Sequence, residues 1–291
     1  MKKTALFVLL AAAGLAAFAA GRPSSDRSYK FEEKEDIRKT LPLADPSKPL
    51  VLSVDNVFGG IDVQAADIKA IELSAHKTIK ARTAEKIARA KAEVELKITQ
   101  TGNDVEFYVD GPFRCQVNGC DGIKDRDLGY EVAYDFILRV PRHTALTAKT
   151  VVEGDVLVRG LEGDFRVSNV NGKITLDRVA GSGDAHTVNG AVQATFTRNP
   201  SSACSFKTIN GAVNLSFPGG LDGDFAMKTM NGEAYSDFPS VVLPAESATR
   251  EVKNGKTIYR RGGYTRIRIG KGGPEFRCET LNGDILISKN K

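Results

Sequence analysis

The feature that most constrains this chain is a short phrase that returns at a nearly fixed interval. In each copy an apolar residue precedes Asn-Gly, and an alternating apolar and polar run follows. From Gly154 to Gly232 successive phrase glycines lie 18, 18, 21 and 21 residues apart, and a last copy follows after 51. Such a period is typical of stacked β-strand coils. The corners are Asn171-Gly172, Asn189-Gly190, Asn210-Gly211, Asn231-Gly232 and Asn282-Gly283.

Alignment of the copies on their glycine shows which positions are apolar. They lie two and four residues after the glycine, and five and seven before it. Side chains of a strand alternate between its two faces, so each run has one apolar face, which it buries only against neighbouring runs. The pattern predicts an all-β parallel β-helix, or solenoid, with coils of about 18–21 residues. A polar column three residues before the glycine is placed to hydrogen-bond along the stack: Asn169, Thr187, Thr208, Thr229 and Thr280.

Asn-Gly is also a strong signal for a β-hairpin turn, because both residues tolerate positive φ. An antiparallel meander is therefore the alternative architecture. Two observations favour the solenoid: the phrase recurs at coil spacing, and the same columns stand on both sides of each corner.

The N-terminus has the pattern of a secretory signal peptide, residues 1–19, with cleavage before Ala20. We expect an exported protein, periplasmic or at the cell surface or extracellular, with no transmembrane segment in the mature chain. Residues 20–49 are expected to form a flexible lead and a first strand, and 50–145 a β-rich part with one short helix near Thr83–Ala92, capped by Thr83. Residues 146–291 carry the repeats, interrupted by an Arg- and Gly-rich excursion at about 239–274.

Composition excludes one class of partner. The formal net charge of +5 becomes +3 once Lys2 and Lys3 leave with the signal peptide. This balance does not indicate a nucleic-acid-binding protein.

Four cysteines in an exported protein point to disulfide chemistry. Cys115 and Cys120 flank a predicted turn and are expected to pair. Cys204 and Cys278 fall in different columns and, on the sequence order, in coils that are not neighbours. A disulfide requires α-carbons within about 7 Å, so we expect small buried thiols there and leave open whether they are free.

The search for catalytic or metal chemistry finds little. Ser182, Asp184 and His186 stand at alternate positions of one strand, about 7 Å apart, whereas a triad requires hydrogen-bonded neighbours. The three histidines have no metal-ligand spacing, and the calcium-like Gly181–Asp184 is a single copy. The sequence predicts no catalytic residues, no metal site and no cofactor.

Acidic residues of the coils leave an enzymatic alternative open. Clustered carboxylates on a β-helix face would suit a polysaccharide-active enzyme. These aspartates mostly follow a corner glycine, where Asp is a good turn residue. They are Asp155, Asp164, Asp177, Asp184, Asp224 and Asp284.

The excursion carries the strongest binding signal in the sequence. Its cations alternate with Tyr and Ile and are suited to an anionic glycan or lipid headgroup, the alternative being an ordinary solvated hairpin face. The candidate residues are Arg260, Arg261, Arg266 and Arg268.

Taken in order, the parts resemble a known family. Gly60-Ile61-Asp62-Val63, a helix, Gly102-Asn103, a strand ending in Val140-Pro141, serial Asn-Gly coils and a final Leu281–Ile287 run follow one another. This order, over about residues 50–291, resembles the bacterial "putative adhesin" family of domains of unknown function. The resemblance implies a β-solenoid in the cell envelope, and it supplies no site residues.

The sequence therefore predicts a non-enzymatic exported β-solenoid that acts as a structural or binding module at the bacterial cell envelope. Its partner is not identified beyond an envelope glycan or protein. A polysaccharide-active enzyme and a periplasmic sensor domain that acts through a partner are the alternatives.

Overall fold

The computed structural model describes residues 29–114, 127–244, 249–253, 256–260 and 263–290, with only the backbone described over 249–260. The predicted signal peptide and the predicted Cys115–Cys120 pair lie outside the described residues. The described chain is mostly β, with one helix, two large mixed sheets and a separate two-stranded sheet.

The elements follow one another in three groups. The first comprises β1 (Phe31–Pro42), β2 (Leu50–Asp55), β3 (Ile61–Ala66), β4 (Ala70–Ala81), α1 (Ala84–Glu93), β5 (Glu95–Thr101), β6 (Asp104–Asp110), β7 (Tyr130–Pro141) and β8 (Thr144–Lys149). The second comprises β9 (Val156–Arg159), β10 (Phe165–Ser168), β11 (Ile174–Val179), β12 (Gly183–His186), β13 (Val192–Phe196), β14 (Cys204–Lys207), β15 (Val213–Phe217), β16 (Gly223–Lys228) and β17 (Ala234–Ser236). The third comprises β18 (Ser240–Val242), β19 (Thr249–Lys253), β20 (Lys256–Arg260), β21 (Thr265–Ile269), β22 (Glu275–Glu279) and β23 (Ile285–Lys289).

Two sheets contain all of these strands except the β19–β20 hairpin. The ten-stranded sheet A runs β1-β4-β7-β3-β9-β11-β13-β15-β23-β17, and the eleven-stranded sheet B runs β18-β21-β16-β22-β14-β12-β10-β8-β2-β6-β5. Most neighbours are parallel. Antiparallel pairs lie towards the sheet ends, at β1–β4–β7, β5–β6 and β16–β21–β18.

The Asn-Gly corners connect the two sheets. Asn189-Gly190, for example, lies between β12 of sheet B and β13 of sheet A. We call a strand of sheet B, its corner and the following strand of sheet A one coil. The alternative of hairpins at these corners is wrong, because the strands on either side of a corner do not pair with each other. Gly102-Asn103 does join an antiparallel hairpin, between β5 and β6.

The corners stack in close contact, and this explains their glycines. At Gly190, where φ is +154°, an added Cβ would lie 2.3 Å from the Gly172 carbonyl oxygen. At Gly211 the corresponding distance, to the Gly190 oxygen, is 2.2 Å. Real Cβ contacts are never this short, so the stack requires the absence of a side chain here.

The core lies between the two sheets. The apolar columns seen in the sequence are buried, apart from the members contributed by β17 at the end of sheet A. Aromatic rings continue from coil to coil: Phe196 stacks on Phe217 at 4.9 Å, and Phe225 stacks on Phe276 at 4.6 Å. Such ring pairs add to the stabilisation that comes from burial alone.

Helix α1 confirms the helix predicted from the sequence. Thr83 is its N-cap and accepts a hydrogen bond from the backbone N–H of Lys86. The helix buries Ile87 and Ala90 and packs mainly against β4 and β7. Within the part of the chain that the structure describes, no helix has the length and apolarity needed to cross a bilayer.

The last coil does not occupy the end of the stack. Strand β22 lies between β14 and β16, and β23 lies between β15 and β17, so the final coil separates two coils that are consecutive in sequence. Residues 218–222 connect the end of β15 in sheet A to the start of β16 in sheet B, and they also advance two coil spacings, about 10 Å, along the stack.

This arrangement corrects one expectation about the cysteines. Cys204 and Cys278 were expected in coils that are not neighbours, but they lie on the paired strands β14 and β22. Their register differs by two residues, because Cys204 stands opposite Phe276. Both thiols are free and buried. Burial raises the pKa of Cys204 to about 11 and also raises the pKa of Cys278, which keeps both thiols protonated.

Candidate functional site

The outer face of sheet B holds the part of the predicted anionic-ligand site that the structure describes. Arg266 and Arg268 lie on β21 at the end of this face. Arg260 lies in β20, where only the backbone is described, and Arg261 lies outside the described residues. The structure therefore positions two of the four predicted arginines.

Both described arginines have carboxylate partners. Arg268 donates two hydrogen bonds to Asp224, at 2.7 and 2.8 Å, and Arg266 lies 3.5 Å from Glu275. The hydrogen bonds from Arg268 lower the pKa of the Asp224 carboxyl, and Asp224 raises the pKa of Arg268. These partners were not visible in the sequence, because Asp224 is 44 residues away from Arg268.

Three further cations extend this face across neighbouring coils. They are Lys207 on β14, Arg277 on β22 and Lys228 on β16. Tyr264 lies among them: the Arg277 guanidinium is 5.2 Å and the Lys228 amine 5.7 Å from the centre of its ring. Both distances are those of cation–π contacts.

Glu279 lies at the centre of this surface and contacts both Tyr264 and Lys207. It accepts a hydrogen bond from the Tyr264 hydroxyl at 2.5 Å and lies 3.1 Å from the Lys207 amine. Burial alone would raise the pKa of Glu279, but these two hydrogen bonds outweigh it and hold the pKa below its usual value. Glu279 is therefore ionised at neutral pH.

We call the five cations the basic face. They are Lys207, Lys228, Arg266, Arg268 and Arg277. Three carboxylates, Asp224, Glu275 and Glu279, partly neutralise them. Among the described residues no carboxylate lies within salt-bridge distance of Lys228, so the face keeps a positive excess.

An asparagine ladder runs along the corners beside the basic face. Each side-chain amide N–H after the first donates to the side-chain carbonyl oxygen of the asparagine in the preceding coil of the stack, as Asn189 does to Asn171, at 2.7–2.8 Å. The order along the stack is Asn171, Asn189, Asn210, Asn282 and Asn231. Asn282 of the final coil therefore lies between Asn210 and Asn231. The side chains are exposed, so the ladder is an ordered polar row on the surface.

The polar column three residues before each glycine bonds along the stack, as the sequence indicated. Each side chain donates to the corner glycine carbonyl of the adjoining coil, at 2.8–2.9 Å. Thr208 donates to Gly190 and Thr280 to Gly211, for example. These bonds satisfy carbonyl groups that the corners would otherwise leave unpaired.

The apolar residue before each Asn lies on the surface, which sequence analysis missed. The members of this apolar stripe are Val170, Val188, Ile209, Leu281 and Met230. Val170 and Val188 are partly covered, whereas Ile209 is 44%, Leu281 41% and Met230 75% exposed. The signal was available, because an apolar residue next to an inward threonine must point outward.

Ser182, Asp184 and His186 do not form a triad. The Ser182 hydroxyl accepts from the backbone N–H of Ser202, and Asp184 lies 3.9 Å from Arg166. Burial lowers the pKa of His186, which keeps it neutral. No hydrogen bond joins any two of the three within the described part of the chain.

Three of the six coil aspartates serve the turns, and the other three pair with arginines. Asp155, Asp164 and Asp284 each accept from a backbone N–H of the adjoining coil, at 2.7–3.0 Å. Asp164 and Asp184 line one shallow cavity of about 320 Å³ on sheet B. Within the described residues no cluster of His, Cys, Asp and Glu is suited to a metal ion.

Comparison with known proteins gives distant similarity alone. No family model matches the sequence, and no curated protein matches it. A "putative cell adhesion protein" from Clostridium sporogenes aligns at 12% identity over 89% of this chain and all of its own, with a TM-score of 0.43. A "putative adhesin" from Bacteroides fragilis aligns at 12% identity over 88% of this chain and 97% of its own, with a TM-score of 0.37.

The chain is similar to proteins named as adhesins. A "putative lipid binding protein" from Parabacteroides distasonis aligns too, at 10% identity over 90% of this chain and 98% of its own, with a TM-score of 0.26. All three TM-scores are below 0.5, so the similarity determines neither the fold nor the activity of this chain.

Proposed function

We propose that this chain is an exported, non-enzymatic binding module built on a parallel β-solenoid, with an anionic ligand held on the basic face. One observation carries the proposal: cations from three neighbouring coils and from strand β21 lie on one outer face, and two of them, Lys228 and Arg277, contact the ring of Tyr264. Side chains at fixed coil spacing form an extended surface for a repeating polyanion, such as an acidic glycan of the cell envelope.

The solenoid part of the proposal is supported by the equivalence of the coils. If the coils are interchangeable, deletion of one whole coil should leave a folded protein. Removing residues 172–189 joins Asn171 to Gly190 and regenerates an Asn-Gly corner. We expect this variant to keep a β-type circular dichroism spectrum and a single thermal transition.

The matched control removes half a coil, residues 172–180. This deletion removes β11 of sheet A, so Asn171 is followed directly by Gly181 and β12. Each later strand then arrives at the position of the opposite sheet. We expect this variant to be unfolded or aggregated. Equal behaviour of the two deletions would contradict the solenoid.

The binding proposal is tested with dextran sulfate as a soluble polyanion and neutral dextran as its comparison. The mature chain should bind dextran sulfate but not neutral dextran. Binding should be weaker at high salt, because salt screens interactions between exposed charges. The variant Lys207→Gln/Lys228→Gln/Arg277→Gln should lower the affinity about tenfold or more, since each cation near a charged surface contributes about 1 kcal/mol.

The control removes three charges that lie outside the basic face: Lys48→Gln/Lys97→Gln/Arg139→Gln. It should bind nearly as the unmodified chain does. If both triple variants lost affinity equally, the effect would be one of net charge and the basic face would not be the site.

Export is tested separately by N-terminal sequencing of the secreted protein, which should begin at Ala20.

A further inference from the structure

The apolar stripe adjoins the basic face along one corner of the stack. In the last three coils each stripe residue stands two positions after an outward residue of sheet B: Ile209 after Lys207, Leu281 after Glu279 and Met230 after Lys228. The threonine between each pair points inward and is hydrogen-bonded. Aliphatic and charged side chains therefore share one edge of the molecule.

The stripe is an ordered row. Its five members are in register, because the asparagines beside them form parallel bridges from coil to coil. At a strand spacing of about 4.8 Å the row is about 19 Å long. It lies along the corners, with the basic face on one side and the neutral asparagine ladder on the other.

We infer that this edge docks on the surface of an anionic lipid bilayer. The exposed aliphatic side chains enter the boundary between headgroups and acyl chains, and the cations of the basic face contact the lipid phosphates. The inference rests on the proposed function and narrows its anionic ligand to a lipid surface.

Two properties of the edge favour a bilayer over a soluble anion. A soluble glycan or free phosphate offers no partner for Ile209, Leu281 and Met230, which are the most exposed members of the stripe. A row of aliphatic side chains bordered by cations is the pattern of protein surfaces that lie in a membrane interface. Charge complementarity adds to the affinity that comes from apolar contact, because each Lys or Arg near the membrane is attracted to the anionic lipid headgroups.

The test uses the mature chain and sedimentation with two kinds of vesicle. One contains phosphatidylglycerol mixed with phosphatidylcholine, and the other contains phosphatidylcholine alone. We expect sedimentation with the anionic vesicles and little with the neutral ones. The variant Ile209→Ser/Leu281→Ser/Met230→Ser should lower partition into anionic vesicles about tenfold or more, because the buried apolar area is lost. Its affinity for dextran sulfate and its melting temperature should be unchanged.

The control replaces three apolar residues outside the stripe whose exposed fractions match: Val51→Ser/Ile137→Ser/Val242→Ser. These side chains are 48%, 45% and 74% exposed. It should sediment as the unmodified chain does.

Three results would overturn the inference. One is equal loss of vesicle binding in the two triple variants. Another is binding to dextran sulfate without binding to vesicles, which would leave the proposed function standing. The third is a change of oligomeric state in the stripe variant alone, which would make the stripe a contact between copies of this chain. Absence of binding to both probes would instead remove the proposed function.

Discussion

Replacing Gly190 by alanine is expected to lower the free energy of unfolding by about 3–5 kcal/mol, from backbone strain and overpacking together. The added Cβ would lie 2.3 Å from the Gly172 oxygen and 2.6 Å from its carbonyl carbon. A backbone carbonyl in the middle of a stack cannot move without displacing the next coil. Total stabilities of domains are about 5–15 kcal/mol, so much of the folded population would be lost. Urea denaturation followed by circular dichroism measures the change.

Gly219→Ala is the matched control for this prediction. An added Cβ at Gly219 meets nothing within 4 Å. The same substitution there should change the stability by about 0.5 kcal/mol or less, because no contact and no unusual φ are involved. If Gly190→Ala were as stable as Gly219→Ala, the corners would not be in contact and the stacked arrangement would be wrong.

Phe276→Ala is the second large expected effect, a loss of about 3–5 kcal/mol. Phe276 is fully buried on β22, stacks on Phe225 at 4.6 Å and meets the edge of Phe217 at 5.4 Å. Its removal leaves a cavity between the final coil and both of its neighbours. The surrounding strands are held by hydrogen bonds on both sides and cannot collapse into that cavity.

Phe31→Ala gives the comparison for this effect. Phe31 lies on the edge strand β1 and is 44% exposed. Its truncation should change the stability by about 0.5 kcal/mol. Equal melting temperatures for the two variants would show that the final coil is not inserted where the structure has it.

The columns of the coils could be predicted from the sequence, because burial and hydrogen bonding select residue type position by position. The inward apolar positions, the threonine column and the Thr83 cap of α1 all follow from local rules. The order of the coils could not be predicted in this way. The coils present similar patterns to their neighbours, so the local pattern does not distinguish one order of stacking from another.

The candidate site was predicted less completely for a related reason. Arg266 and Arg268 are visible as cations in the sequence, but their carboxylate partners come from other strands. Lys207, Lys228 and Arg277 belong to three coils that become adjacent only through the inserted order. A single sequence carries no local signal for that adjacency.

The inserted final coil has a consequence for how the protein is made. Lys228 comes to stand opposite Glu279, and Met230 beside Leu281, only after the last residues have been added to the chain. A nascent or prematurely terminated polypeptide therefore lacks the assembled surface. Completion of synthesis therefore assembles the edge on which the proposed contact with a bilayer depends.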